Sequence, residues 1–234
     1  MEPVVAVVIP TLNEAAAIGV VIRELPRDLI RQVIVADSGS TDGTQALARS
    51  AGATVLETGR GYGRACAAGV AAADRACTVI VFLDGDGADR GDLMPLIAGP
   101  VIAGDQDLVL ASRTRGEREP GSMNWHQVWA GHIAGLGIGA LYGIRYSDMC
   151  AYRAIRRDTL MSLGMRELTY GWNIEMQMKA ARARLRIMEV PLPYRCRLGG
   201  ESKVAGSLRG TVRAASRIGA TFLRVAMARN AMPK

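Results

Sequence analysis

Metal-binding and stacking side chains are in short supply in this chain, with 2 histidines, 2 phenylalanines and 3 tryptophans among 234 residues. His126 and His132 have no partner at ligand spacing, which excludes a histidine-built zinc centre. His132 is expected to pack among its apolar neighbours. The 4 cysteines, Cys66, Cys77, Cys150 and Cys196, share neither metal-ligand nor redox spacing, so they are expected as buried thiols in a reducing cytoplasm. Aromatic residues make up 5% of the chain and no recognised nucleic-acid module is present, so no nucleic-acid partner is expected. Glycine reaches 27 residues, yet the first strand-to-helix turn, Pro10 to Glu14, contains none. That excludes a dinucleotide fingerprint at its proper place. The Gly59-x-Gly-x-Gly63 run follows the third strand and lacks the last, helix-packing glycine, and no P-loop is present. No basic leader precedes the first apolar strand, so no cleavable signal is expected.

What is present is uneven in charge. Residues 1–149 hold 12 Lys/Arg against 17 Asp/Glu, and residues 150–234 hold 17 against 5. A basic carboxyl-terminal third suits a polyphosphate substrate or an anionic membrane surface. The 49% of apolar residues is enough to fill one large core.

Short apolar runs alternate with helical segments. Val4 to Ile9, Val33 to Ala36, Thr54 to Glu57 and Val79 to Leu83 read as strands. Ala15 to Leu25, Gln45 to Ala51 and Arg64 to Ala73 read as the helices between them. Such alternation predicts an α/β fold, a mostly parallel central sheet with helices on both faces. Ligands of open α/β sheets sit at the carboxyl ends of the strands.

The fourth strand runs straight into Asp84-Gly85-Asp86. Two carboxylates one residue apart form a hard oxygen pair suited to Mg²⁺ or Mn²⁺ bridging substrate phosphates. Gly85 is expected to leave room for a group approaching the backbone. The first two strands also end in polar clusters, Pro10-Thr-Leu-Asn-Glu14 and Asp37-Ser-Gly-Ser-Thr-Asp-Gly-Thr44. Three such clusters at equivalent strand ends predict a cleft for a base, a ribose and a diphosphate.

These blocks resemble those of the inverting family 2 glycosyltransferases of the GT-A fold. The resemblance continues in Ser112-Arg113, Asp148-Met-Cys-Ala-Tyr-Arg153, Gly171-Trp-Asn-Ile-Glu175, Glu189-Val-Pro-Leu-Pro193 and the block from Arg197 to Lys203. It covers roughly residues 4–204 and is most similar to the polyprenyl-phosphate hexosyltransferase branch, of the dolichyl-phosphate mannose synthase type. The resemblance implies that Pro10, Leu12 and Glu14 lie along the nucleobase and that Asp37 binds the base or its ribose. It implies Asp84 near ribose and metal, Asp86 as direct metal ligand, and Arg113 facing the acceptor phosphate. Arg197, Ser202 and Lys203 would close on the donor diphosphate. The implied substrates are a UDP- or GDP-hexose and a polyprenyl phosphate. A hydroxyl acceptor is the alternative, and would require Asp148 or Glu175 as general base. A non-enzymatic membrane adaptor is the third reading, and it leaves both aspartates idle.

The remaining segments bear on the membrane. Val128 to Ile144 carries no formal charge over 17 residues, and Gly131, Gly135, Gly139 and Gly143 recur every fourth position. A helix with one nearly bare face is expected there, packed on the catalytic domain or dipping into the membrane interface. A full crossing would place Asp84 and Asp86 on one side of a bilayer and Arg197 on the other. Trp125, Trp129 and Trp172 are candidates for a lipid path or for ordinary burial. Glu175, on a helix from Trp172 to Arg184, is set to pair with Lys179 four residues on. Arg209, Arg213 and Arg217 recur in the tail, so residues 205–234 are expected as a basic amphipathic helix appended to a catalytic domain of residues 1–204. The chain is therefore expected to be cytoplasmic and peripherally held at the inner membrane face, with homo-oligomerisation left open.

Overall fold

The computed structural model of the chain describes residues 4–199 and 208–228. Seven strands, β1 (Val5–Thr11), β2 (Ile30–Asp37), β3 (Thr54–Glu57), β4 (Val79–Phe82), β5 (Leu108–Ser112), β6 (Arg153–Arg156) and β7 (Ile187–Pro191), form one sheet in the order β3-β2-β1-β4-β6-β5-β7. All neighbours are parallel except β6, which runs antiparallel to both β4 and β5. Every residue of β1 and of β4 is buried, as strands covered on both faces should be. Alternate residues of β1 serve two cores. Val5, Val7 and Ile9 join Ile18 and Ile22 on one face, whereas Ala6 and Val8 join Cys66, Trp172 and Met176 on the other.

Eight α-helices surround the sheet among the described residues: α1 (Ile18–Glu24), α2 (Thr44–Ser50), α3 (Tyr62–Ala72), α4 (Met94–Ile102), α5 (Trp125–Tyr142), α6 (Arg157–Ser162), α7 (Trp172–Arg182) and α8 (Leu208–Met227). α5 starts in a capping box, with Asn124 and Gln127 satisfying each other's backbone N–H groups, and stops at Gly143 in the left-handed region. Its glycine face is covered by the chain's own return. A Cβ on Gly135 would stand 1.9 Å from the Tyr146 carbonyl oxygen, so only glycine allows residues 144–149 to lie there. The bare face thus belongs to the domain rather than to a bilayer. No described helix is long and apolar enough to cross a membrane.

The opposite side of α5 is open. Trp125 is 75% exposed, Trp129 62% and Ile133 63%, while Trp172 is buried in the core. His132, expected among apolar neighbours, is exposed on the same side, because the glycine face and not the histidine side is turned inward. Cys66, Cys77 and Cys150 are buried as expected, but Cys196 is exposed in the segment after β7. α8 lies on α7 and α5. Ala214, Thr221 and Val225 are buried, and Phe222 fills the space beside Gly137. One side of this basic helix is therefore covered by the domain, while Val212, Leu223 and Met227 are exposed and Arg213 and Arg217 are left in solvent.

Candidate active site at the strand ends

Parallel pairing brings the ends of β1, β2 and β4 side by side, with Thr11 opposite Asp37 and Val8 opposite Phe82. The three polar clusters therefore meet along one edge. Asp37 is fully buried, and its oxygens accept from Thr11 Oγ1 at 3.0 Å, Gly39 N at 3.1 Å, Ser40 N at 2.8 Å, Gln45 Nε2 at 2.9 Å and the Ser40 hydroxyl. Burial alone would raise its pKa, but these donors, Ser40 first, hold it below the usual carboxylate range. Asp37 thus organises the loop that it begins. That loop is stitched to the first one, with Asn13 N donating to Ser40 Oγ, Glu14 N to Thr44 Oγ1 and Ala15 N to Asp42 Oδ2, all within 3.0 Å. Pro10 is buried within β1, and Leu12 is half-buried just beyond it.

Asp84 and Asp86 leave β4 into the same edge. A Cβ on Gly85 would come within 2.8 Å of Thr11 Cγ2. The group that approaches the backbone at Gly85 on that side is thus the end of β1 itself. Burial, and next the charge of Asp86, push Asp84 up to about 7, and the Tyr62 hydroxyl donates to it at 3.3 Å. Asp86 accepts from Ala88 N at 3.0 Å and meets Arg197 Nη1 at 3.1 Å. The other terminal nitrogen of Arg197 lies 2.9 and 3.0 Å from the two Glu14 oxygens. One guanidinium thus joins the loops after β1 and β4. Two neighbouring carboxylates at this edge fit a hard divalent cation. No three His, Cys, Asp or Glu side chains among the described residues form a cage, so the remaining ligands of such an ion would be substrate oxygens or water.

The other half of the edge is built by β5, β6 and the residues after β7. Arg113 grips Asp148 in a bidentate pair, Nε to Oδ2 at 2.7 Å and Nη2 to Oδ1 at 2.8 Å, and its backbone N–H adds a third bond at 3.0 Å. Burial by itself would raise the Asp148 pKa, and the Arg113 charge reverses that, holding the carboxyl below its ordinary range. The guanidinium also stacks 5.1 Å from the ring centre of Tyr194. Arg113 and Asp148 are therefore brought together, but as partners of each other.

Glu175 stands apart from both halves. It is fully buried on α7 and accepts from Arg166 N at 2.9 Å and Glu167 N at 2.7 Å, with Lys179 at 3.1 Å and Arg224 of α8 at 3.4 Å. The pairing with Lys179 is present as expected, and none of these partners comes from the loops of the cleft. Ser202 and Lys203 lie outside the described residues.

Three further residues belong to the site and escape a reading of the motifs. Asp89 is buried beneath the Asp84–Asp86 loop, where burial, and then the charges of Asp84 and Asp86, push its pKa well above the usual range. Tyr194 pairs with Asp89 across an antiparallel bridge. Arg195 donates to the Gly87 carbonyl and pairs with Glu24 at 2.6 Å, tying the post-β7 segment over the same loop. The spacing of Asp89, three residues past Asp86, was the one available signal.

Comparison with known proteins agrees with this architecture. The model of the family "Glycosyl transferase family 2" matches residues 6–164. The chain is 33% identical over 227 residues to an undecaprenyl-phosphate mannosyltransferase of Micrococcus luteus, covering 88% of this chain and 89% of that one. It is 36% identical over 205 residues to a dolichyl-phosphate hexose transferase of Haloferax volcanii, covering 85% and 86% respectively. Among solved structures it is similar to glucosyl-3-phosphoglycerate synthase of Mycobacterium tuberculosis in complex with Mn²⁺, UDP-glucose and phosphoglyceric acid. That similarity has a TM-score of 0.77 at 25% identity, over 98% of this chain and 81% of that one. The fold is GT-A. With acidic loops at the strand ends, the Arg197 guanidinium bridging two of them and the family model running through β1 to α6, the chain belongs to glycosyltransferase family 2.

Proposed function

We propose that this glycosyltransferase moves a hexose from a nucleoside-diphosphate sugar to a polyprenyl phosphate, with inversion, at the cytoplasmic face of the membrane. The observation that carries the choice of acceptor is the state of the two carboxylates available as base. Asp148 is held ionised against Arg113, and Glu175 is enclosed among backbone donors and two cations. Neither is placed to take a proton from an attacking hydroxyl. A phosphate acceptor is already anionic and needs no base. The names of the Micrococcus and Haloferax relatives support the same acceptor.

Asp86 and Asp84 would hold Mg²⁺ or Mn²⁺, with Asp86 in direct contact. When bound, such an ion supplies Lewis-acid neutralisation of the departing nucleoside diphosphate. Arg197 is placed to leave its bridge and add its charge to the diphosphate, with Lys203 and Ser202 from the same block. The Asp37 loop and the Pro10 to Glu14 turn line the base and ribose. In the transfer itself an acceptor phosphate oxygen bonds to sugar C1 as the C1–O bond to the diphosphate breaks. The electron pair leaves with the nucleoside diphosphate, stabilised by the arginine.

A hydroxyl acceptor remains the second reading, favoured by the structural similarity to a synthase whose complex holds phosphoglyceric acid. The two separate in one assay. The protein is incubated with Mn²⁺, a panel of UDP- and GDP-hexoses, and either polyprenyl phosphate or soluble hydroxyl acceptors, and products are identified by mass. A lipid-phosphate hexose is expected. Transfer confined to hydroxyl acceptors overturns the lipid reading and leaves the family membership standing.

A further inference from the structure

A cavity of about 260 Å³ opens next to the Arg113–Asp148 pair, lined by Arg115, His132, Arg145, Tyr146, Ser147 and Glu189. It abuts the acceptor half through Ser147, whose hydroxyl lies 2.7 Å from Ser112 Oγ and whose carbonyl accepts from Thr114 Oγ1 at 3.1 Å. Its charges are unmatched. Among the described residues neither the Arg115 nor the Arg145 guanidinium has a carboxylate or hydrogen-bond partner. The one acid of the lining, Glu189, turns both oxygens to Ser147 N, at 2.9 and 3.1 Å. A second cavity, of about 350 Å³ around Arg156 and Arg157, lies by the opposite end of β4 and differs in this respect. There Arg156 is paired with Asp158, and Arg157 with the carbonyls of Ala73 and Asp74.

We propose that the Arg115–His132–Arg145 cavity seats the phosphomonoester of the acceptor, and that the exposed side of α5 carries the attached prenyl chain. The inference rests on the glycosyl-transfer reading above and names the place of its second substrate. Arg113, the cation the family resemblance assigns to that phosphate, is already neutralised by Asp148 with both arms. The two neighbouring arginines are not. The volume falls below the roughly 300–1,000 Å³ of pockets that enclose a whole small ligand, and so suits a headgroup whose remainder lies outside. What lies outside is apolar. His132 sits on α5 between Trp129 and Ile133, with Leu136 one turn further, and all four are exposed on one side of the helix. An anionic pocket occupant continued by an apolar chain is the description of a lipid phosphate.

The test is titration of the full chain with farnesyl phosphate and, separately, with inorganic phosphate, following heat or tryptophan fluorescence. The double variant R115Q/R145Q is expected to weaken both ligands by about tenfold or more, the scale of losing charge-assisted hydrogen bonds. I133S/L136S is expected to weaken farnesyl phosphate alone. Both variants should keep wild-type melting temperatures and Mn²⁺-dependent nucleotide binding, which separates a lost acceptor site from a lost fold. Unchanged farnesyl phosphate affinity in R115Q/R145Q overturns the inference even if lipid-linked product is formed. Loss of inorganic phosphate binding together with indifference to I133S/L136S overturns its lipid half, and product analysis showing only hydroxyl transfer then removes the reading beneath it.

Discussion

The two halves of the cleft edge are built with opposite surpluses. At the ends of β1, β2 and β4, Glu14 and Asp86 share the Arg197 guanidinium, and beside them burial, and next the charge of Asp86, lift Asp84 to about 7. At the end of β5 and the start of β6, Asp148 is consumed by Arg113 and Glu189 accepts from Ser147 N, and Arg115 and Arg145 are left over. The first half wants a cation and the second an anion. In the proposed reaction a divalent ion carrying a diphosphate sugar would answer the first need, and a phosphorylated acceptor the second. Asymmetry of this kind orients two substrates without either half having to recognise the whole of its ligand.

The sharpest way to break the comparison is Asp86→Ala. Transfer should fall to background, since the proposed direct metal ligand is removed, and Mn²⁺-dependent nucleotide binding should fall with it. Binding of inorganic phosphate should be untouched, because that site uses the other half. Near wild-type turnover with Mn²⁺ would refute the donor-half assignment.

Arg197→Ala comes next in size and sharpens the distinction between the two arginines. Arg197 spans Glu14 and Asp86 from a segment that also docks through Leu198 N on the Asp86 carbonyl at 3.0 Å. It is expected to lower kcat/KM by about 10²-fold, the scale of one well-placed electrostatic contact. Nucleotide-free Mn²⁺ binding, read by electron paramagnetic resonance, should strengthen rather than weaken, because the competing cation on Asp86 is gone. A parallel loss of Mn²⁺ binding would show Arg197 to be structural support for the loop.

How much of this was legible in the sequence depends on whether an apolar run or a polar partner defines the feature. β1 and β4 are continuous apolar stretches running into polar clusters, so both strands were plain, and their ends do lie side by side. β6 was not, because its four residues, Arg-Ala-Ile-Arg, mask a buried strand behind charge. Arg153 is fully buried there, its guanidinium held by the carbonyls of Cys150, Ala151 and Asn173. No pattern in the chain announces those carbonyls. The same limit hid the Arg113–Asp148 pair, in which a residue expected to face the acceptor phosphate and a candidate general base face each other across 35 positions. The tail shows the converse. The fourfold arginine spacing marked an amphipathic helix correctly, but which of its apolar residues meet protein depends on α5 and α7: Phe222 packs beside Gly137, whereas Val212, Leu223 and Met227 stay exposed.

Asp148→Asn tests the closed pair of the acceptor half. Removing the carboxylate charge leaves Arg113 partly buried without its partner, a loss of about 2 kcal/mol at neutral pH. The sign with pH is definite. Asp148 has a depressed pKa in the folded protein, so its contribution is present above the ordinary carboxylate value of about 3.9 and disappears as pH falls through the lower folded value. The gap in unfolding free energy between wild type and variant should therefore close in acid. A gap that stays constant down to the acid limb would assign the cost to lost packing and not to the Arg113 pair.

The smallest effect on transfer is expected from Glu175→Gln, and it bears on the acceptor most directly. Glu175 accepts two backbone N–H groups and faces Lys179 and Arg224, so the change should lower the melting temperature. Glutamine retains one acceptor oxygen for the turn at Arg166 and Glu167, and the cleft edge shares no hydrogen bond with it. Turnover per folded molecule should then stay within about twofold of wild type, since a phosphate acceptor asks for no base and the residue lies outside the reacting set. The discriminating outcome is the reverse pattern. Unchanged melting and unchanged nucleotide binding with transfer reduced by about 10²-fold or more, the range of a lost general base, would move Glu175 into the chemistry. A hydroxyl would then be the acceptor, and the contrast between a cation-seeking and an anion-seeking half would no longer describe how the two substrates are held.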